Sequence, residues 1–188
     1  MPLNLPNLVT LLRILLIPLI VGIFYVPDTW LSDQAKNISA TVVFVVAAIT
    51  DWLDGYLARR LNQMSAFGAF LDPVADKLVV VGALIVLLKL GRVDMVVGLI
   101  IIGREIAISA LREWMAQLGQ AKSVAVAYIG KLKTVLQMVA IPLLLFEDRL
   151  FGVIDCYVLG TVLIYVAAVL TVISMLYYLR RALPLAQG

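Results

Sequence analysis

Apolar residues in this chain gather into six long blocks separated by short polar stretches. The blocks cover residues 8–26, about 38–57, about 73–90, 95–111, about 129–146 and 151–179. Each is close to the roughly 17–25 residues that a helix needs to cross a bilayer. The pattern therefore predicts an all-α integral membrane protein with six transmembrane helices. Pro73 has no amide hydrogen and belongs in a first turn or at a kink, so the start of the third helix stays open near residues 68–72. Residues 1–7 are apolar and punctuated by Pro2 and Pro6, which predicts a short N-terminal juxtamembrane helix along the interface. The last block contributes only hydrophobicity. No polar region is long enough for a second domain, so residues 1–188 are expected to form a single membrane domain.

Composition agrees with this reading. Hydrophobic residues make up 63% of the chain and the mean hydropathy is +1.06, whereas soluble domains are about 45–50% apolar. The net charge of +3 matters less than its placement. Six spans put both termini on one side, with Arg13, Arg59, Arg60, Lys77, Arg104, Arg112, Lys122, Lys131, Lys133, Arg180 and Arg181. Lys36, Lys89, Arg92 and Arg149 fall on the other side, and this eleven-to-four excess predicts cytoplasmic termini. The N-terminus has neither a basic n-region nor a small-residue cleavage site, so no removable signal peptide is expected. The chain has no histidine and one cysteine, Cys156. Internal disulfides, histidine relays and most zinc sites are thereby excluded.

Against this apolar background the stretch from Asp51 to Asp76 stands out. It reads Asp-x-x-Asp-Gly-x-x-Ala-Arg, eight residues, then Gly-x-x-x-Asp-x-x-x-Asp, and so contains Asp51, Asp54, Gly55, Ala58, Arg59, Gly68, Asp72 and Asp76. Acids at membrane depth need a partner, a cation or water. On helices, Asp51 and Asp54 share one face, as do Gly68, Asp72 and Asp76. Two antiparallel helices joined by a turn near residues 62–66 would bring the four acids to one point. All-oxygen ligation suits hard divalent ions such as Mg²⁺ or Mn²⁺.

With every signature position filled, this stretch resembles the motif of the CDP-alcohol phosphotransferase family. These integral membrane enzymes displace CMP from a CDP-linked donor with an alcohol. The resemblance implies two divalent ions held by Asp51, Asp54, Asp72 and Asp76, with Asp76 also serving as catalytic general base. It implies that Gly55, Ala58, Arg59 and Gly68 frame the CDP donor, and that Asn7, Thr10 and Arg13 border the same nucleotide pocket. It further implies a homodimer in the bacterial inner (cytoplasmic) membrane, and the excess of basic residues on the side of the termini predicts an active site facing the cytoplasm.

A second polar region follows the fourth block. Arg104-Glu105 and Arg112-Glu113 precede Gly130-Lys131-Leu132-Lys133-Thr134. Arg104 and Arg112 lie about 80° apart on a helical wheel and can enter one cavity, whereas Lys131 and Lys133 lie about 200° apart. Only one of these two lysines can serve the same pocket. The region is similar to the branch of the family that uses sn-glycerol 3-phosphate as acceptor and CDP-diacylglycerol as donor. That similarity assigns Arg104, Arg112 and Lys131 or Lys133 to the acceptor's phosphate. Two other readings compete: the same chemistry with serine, an inositol phosphate or a phosphatidyl lipid as acceptor, and a cation transporter with acids along a path.

Overall fold

The computed structural model describes residues 5–61, 66–117 and 128–182, with the side chains of 5–7, 52, 54–61, 66–67, 69, 128–129, 131 and 181–182 outside the described set. Six helices account for nearly all of it: α1 (Leu5–Ile23), α2 (Asp33–Leu61), α3 (Ala66–Lys89), α4 (Met95–Gln117), α5 (Tyr128–Phe146) and α6 (Cys156–Ala182). A two-stranded hairpin, β1 (Arg149–Leu150) and β2 (Ile154–Asp155), separates α5 from α6.

Local chemistry at one end of the bundle sets several helix boundaries. The Ser32 hydroxyl accepts from the Ala35 amide, Asp94 from Val96 and Asp155 from Val158. Each side chain satisfies an amide that the first turn of α2, α4 or α6 leaves without a helical acceptor. At the end of α3, Gly91 takes a left-handed φ of 70°. The Gly91 amide then reaches the Leu88 carbonyl and the Arg92 amide the Leu87 carbonyl, closing the helix. Arg92 donates to the Leu144 and Leu145 carbonyls at 3.2 and 2.9 Å and to Asn37 Oδ1 at 2.9 Å, and pairs with Glu147. It thereby ties α2, the α3–α4 turn and the end of α5 together. Burial lowers its pKa from the ordinary arginine value, and the neighbouring Glu147 works against that shift.

The core runs through the middle of the bundle, from Ile20 and Phe44 through Leu84, Leu87 and Ile101 to Ile141, Leu144 and Ile164. Helix α6 packs on α5 and α4, and α1 packs on α2 and α3. At Gly160 an added Cβ would stand 2.8 Å from Leu144 Cγ and 3.2 Å from the Ala140 carbonyl oxygen, so α5 and α6 meet closely there. The outer surface is apolar as well: Leu15, Val42, Ile85, Leu99, Val139 and Val169 are all exposed. Helix α6 carries a 25-residue apolar stretch, Cys156–Arg180, long enough to cross a membrane, and Leu8–Ile23 and Leu132–Phe146 are shorter apolar helices.

Several boundaries differ from the hydropathy pattern; α2 and α4, for example, run beyond their apolar blocks, to Leu61 and Gln117. Helix α3 begins at Ala66 and contains Pro73, because the helix continues past its apolar part into the acidic region. Helix α6 begins at Cys156 because Asp155 caps it; Phe151 and Gly152, at φ 54° and 72°, form the turn of the hairpin instead. Residues 5–7 belong to the first turn of α1 rather than to a separate juxtamembrane helix. Residues 1–4 of that expected helix and residues 62–65 of the turn expected at 62–66 lie outside the described residues, and Ala66 opens α3.

Candidate active site

The end of the bundle where α2 stops and α3 starts holds the acids. Asp51 lies on the last part of α2, and Asp72 and Asp76 on the first part of α3. All three described carboxylates meet α1. The Thr10 hydroxyl donates to Asp72 Oδ1 at 2.6 Å, and Arg13 Nη1 donates to Asp51 Oδ1 at 2.7 Å and also to Asp76 Oδ1. Two carboxylates from different helices therefore share a single nitrogen, so they face each other across one cation. The Arg13 side chain is 1% exposed, whereas Asp51 and Asp76 are 39% and 47% exposed. The guanidinium is buried beneath carboxylates that open outward.

The structure thus brings Thr10 and Arg13 to the acids. Gly68 is buried on α3. Asp54, Gly55, Ala58 and Arg59 follow Asp51 on the last turns of α2, and Asn7 lies in the first turn of α1, but their side chains lie outside the described residues. Among the described residues no three acids converge as a metal-binding group.

The basic residues form a second centre beside the first. Arg104 on α4 is buried; its Nη2 donates to Ser174 Oγ at 3.1 Å, and its Nη1 lies 3.4 Å from Glu105 Oε1. Arg112, two turns on, reaches the Tyr178 hydroxyl at 3.5 Å. The Tyr178 ring lies 5.8 Å from the Arg104 guanidinium carbon and 5.5 Å from that of Arg112. Lys133 on α5 is buried and pairs with Glu105, whereas the Lys131 side chain lies outside the described residues. The Nε atoms of Arg104 and Arg112 are buried with no hydrogen-bond partner among the described residues. Buried donors without acceptors are costly.

Both centres open into one cavity of about 690 Å³, lined by Arg13, Asp51 and Asp76 on one side and by Arg104, Glu105 and Arg112 on another. That size suits a small-molecule ligand. A smaller cavity of about 330 Å³, lined by Arg104, Glu105, Arg112, Lys133 and Thr134, adjoins it. An apolar groove between α2 and α5, lined by Phe44, Val45, Ile49 and Pro142, shares Ala48 and Met138 with the large cavity.

Helix α6 corrects one expectation, for it contributes more than hydrophobicity. Thr171, Ser174 and Tyr178 are all buried, and the last two face the arginines. Their i, i+3, i+7 spacing puts three polar groups on one face of an apolar helix, a signal readable from sequence.

Comparison with known proteins identifies the family. Residues 3–173 match the CDP-alcohol phosphatidyltransferase family. A relative from Shigella flexneri serotype 5b (strain 8401), named CDP-diacylglycerol–glycerol-3-phosphate 3-phosphatidyltransferase, is 49% identical over 184 residues, covering 97% of this chain and 96% of its own. A relative of the same name from Escherichia coli (strain K12) is 49% identical over the same shares. With the family match running from α1 into α6, this chain belongs to the CDP-alcohol phosphatidyltransferase family.

Proposed function

We propose that this protein transfers a phosphatidyl group from CDP-diacylglycerol to sn-glycerol 3-phosphate, releasing CMP. The observation that carries this reading is the single cavity with paired carboxylates on one wall and two arginines on another. A diphosphate donor and a phosphorylated alcohol need these two kinds of wall, and they need them within one reaction volume. The relatives' shared name supports the same pair of substrates.

Asp51, Asp72 and Asp76, together with Asp54, are the residues that would hold Mg²⁺ or Mn²⁺. The donor chemistry fits: the carboxylates are hard oxygen donors, and two of them already share one cationic group, Arg13 Nη1. When bound, such ions neutralise the diphosphate and the departing CMP. Thr10 and Arg13 orient the acids from α1. Asp76, the more open member of the Arg13-linked pair, takes the proton from the acceptor hydroxyl. Asn7, Gly55, Ala58, Arg59 and Gly68 frame the CDP moiety. Arg104, Arg112 and Lys133 hold the acceptor's phosphate, Lys133 being preferred to Lys131 because it lines the same small cavity as the arginines. The apolar groove gives an acyl chain of the donor a path from the cavity toward the membrane.

We read α1–α6 as six crossings of the bacterial inner membrane by a homodimeric enzyme, with the cavity facing the cytoplasm. Apolar side chains over the outer surface support a lipid setting, since soluble proteins rarely expose large contiguous apolar patches. The test is CMP release by purified protein given CDP-diacylglycerol, Mg²⁺ and a panel of alcohols. Release only with glycerol 3-phosphate is expected. Efficient release with serine or inositol phosphate would move the protein to another branch of the family.

A further inference from the structure

Glu105 is an acid inside a site that otherwise collects cations. It lines both the large cavity and the smaller one, its side chain is 21% exposed, and its Oε1 meets both Lys133 and Arg104. Neither the family motif nor the assignment of acceptor residues gives it a role.

The charges of the small cavity supply one. Arg104, Arg112 and Lys133 bring three positive charges there and Glu105 one negative charge, a formal +2 among the described residues. A phosphate monoester carries about −1.5 to −2 at pH 7. With Glu105 in place, the site matches a dianion. Without it, three cations would face one another in a largely desolvated space, which raises the cost of the free protein and strengthens its hold on any anion.

We propose that Glu105 is the internal counter-ion of the acceptor-phosphate site: its carboxylate sets the site's charge to that of a phosphate dianion and competes with that phosphate for Lys133. This rests on the acceptor reading above. The competition has a use, because the lipid product retains the acceptor's phosphate. Glu105 reclaims Lys133 as the product leaves, so the phosphate is held tightly enough to orient the alcohol and loosely enough to release. Glu105 acts through Lys133 and Arg104, which makes it a charge-setting residue rather than a catalytic one.

The test is a double-mutant cycle on the full-length protein in detergent, read as KM for glycerol 3-phosphate. Glu105→Gln is expected to lower KM by about tenfold, the scale of one partly screened charge pair, and to lower kcat as product leaves more slowly. Lys133→Gln should raise KM by about tenfold. The double variant restores the formal +2 and should return near wild type. As competing inhibitors, methyl phosphate should gain more affinity from Glu105→Gln than dimethyl phosphate, because it carries the greater charge.

A rise in KM for Glu105→Gln would make Glu105 a mere support for Lys133 and overturn the proposal, as would a double variant equal to Lys133→Gln. If Glu105→Gln fails to fold, comparing the double variant with Lys133→Gln still decides: about tenfold lower KM in the double is expected, and equality refutes. Wild-type protein with no saturable response to glycerol 3-phosphate would remove the acceptor reading and this one together. An active wild type with the wrong cycle would remove this one alone.

Discussion

Replacing Arg112 by glutamine should raise the KM for glycerol 3-phosphate and leave the donor's KM nearly unchanged. Among the described residues Arg112 makes one long hydrogen bond, 3.5 Å to the Tyr178 hydroxyl, lies 5.5 Å from that ring and leaves its Nε without a partner, so little internal bonding is lost on substitution. The loss falls on the ligand. A charge-assisted hydrogen bond is worth roughly 1.5–3 kcal/mol, so kcat/KM should fall about tenfold to a hundredfold. Because the phosphate is remote from the reacting hydroxyl, it is held similarly in ground and transition states, and the change should appear in KM rather than kcat. Arg104→Gln should have the same kinetic signature with an added loss of stability. Arg104 is buried, donates to Ser174 at 3.1 Å and sits beside Glu105, and these contacts go with the guanidinium. Arg112→Lys separates charge from geometry: partial recovery means that charge dominates, none that the planar fork is needed. The assay is initial-rate CMP release at saturating CDP-diacylglycerol with glycerol 3-phosphate varied. Unchanged KM in both Arg104→Gln and Arg112→Gln would refute the acceptor assignment.

Other perturbations probe the remaining parts. Asp51→Asn, Asp54→Asn, Asp72→Asn and Asp76→Asn should each remove most turnover while the protein still inserts, and chelation should do the same reversibly; near-normal CMP release from two of the variants would contradict the ligand assignment. Arg92→Gln strips the carbonyl, Asn37 and Glu147 contacts from the opposite end of the bundle. Because Glu147 is 44% exposed, the expected cost is only about 1–3 kcal/mol, seen as a lower thermal midpoint with unchanged KM values; an unchanged midpoint would show that the clamp is idle. Gly160→Val should cost about 1–3 kcal/mol by forcing α6 off α5, and a variant as stable as its parent would mean that the helices separate freely there. For orientation, a cysteine at Ser65 in a Cys156-free background should react with an impermeant thiol reagent in inverted membranes and not in intact cells.

Much of the architecture could be read from the chain because its two signals are strong. Long apolar blocks mark helices wherever lipid or core surrounds them, and the Asp51–Asp76 spacing marks a face on each of two helices. Hydropathy failed where helices continue beyond their apolar parts, as at Ala66, and where a capping aspartate set the boundary, as at Asp155. The wheel argument that only one of Lys131 and Lys133 can face the pocket left the choice open, because it needs the packing of α5 on its neighbours. Lys133 is now seen buried against Glu105. The contacts of Thr10 and Arg13 with acids 38 to 63 residues away are long-range facts that no local pattern contains. Ser174 and Tyr178 differ: their spacing on α6 is legible, but a few polar groups barely lower the hydropathy of a 27-residue apolar helix.

In the proposed function, the paired carboxylates and the arginines of one cavity join a CDP-linked lipid to a phosphorylated alcohol. It is tested most directly by giving purified protein CDP-diacylglycerol, Mg²⁺ and radiolabelled glycerol 3-phosphate, then counting label in the organic extract against CMP in the aqueous phase. Label entering lipid in equal amount to CMP released is expected. CMP without labelled lipid, or neither product from folded protein, would contradict it.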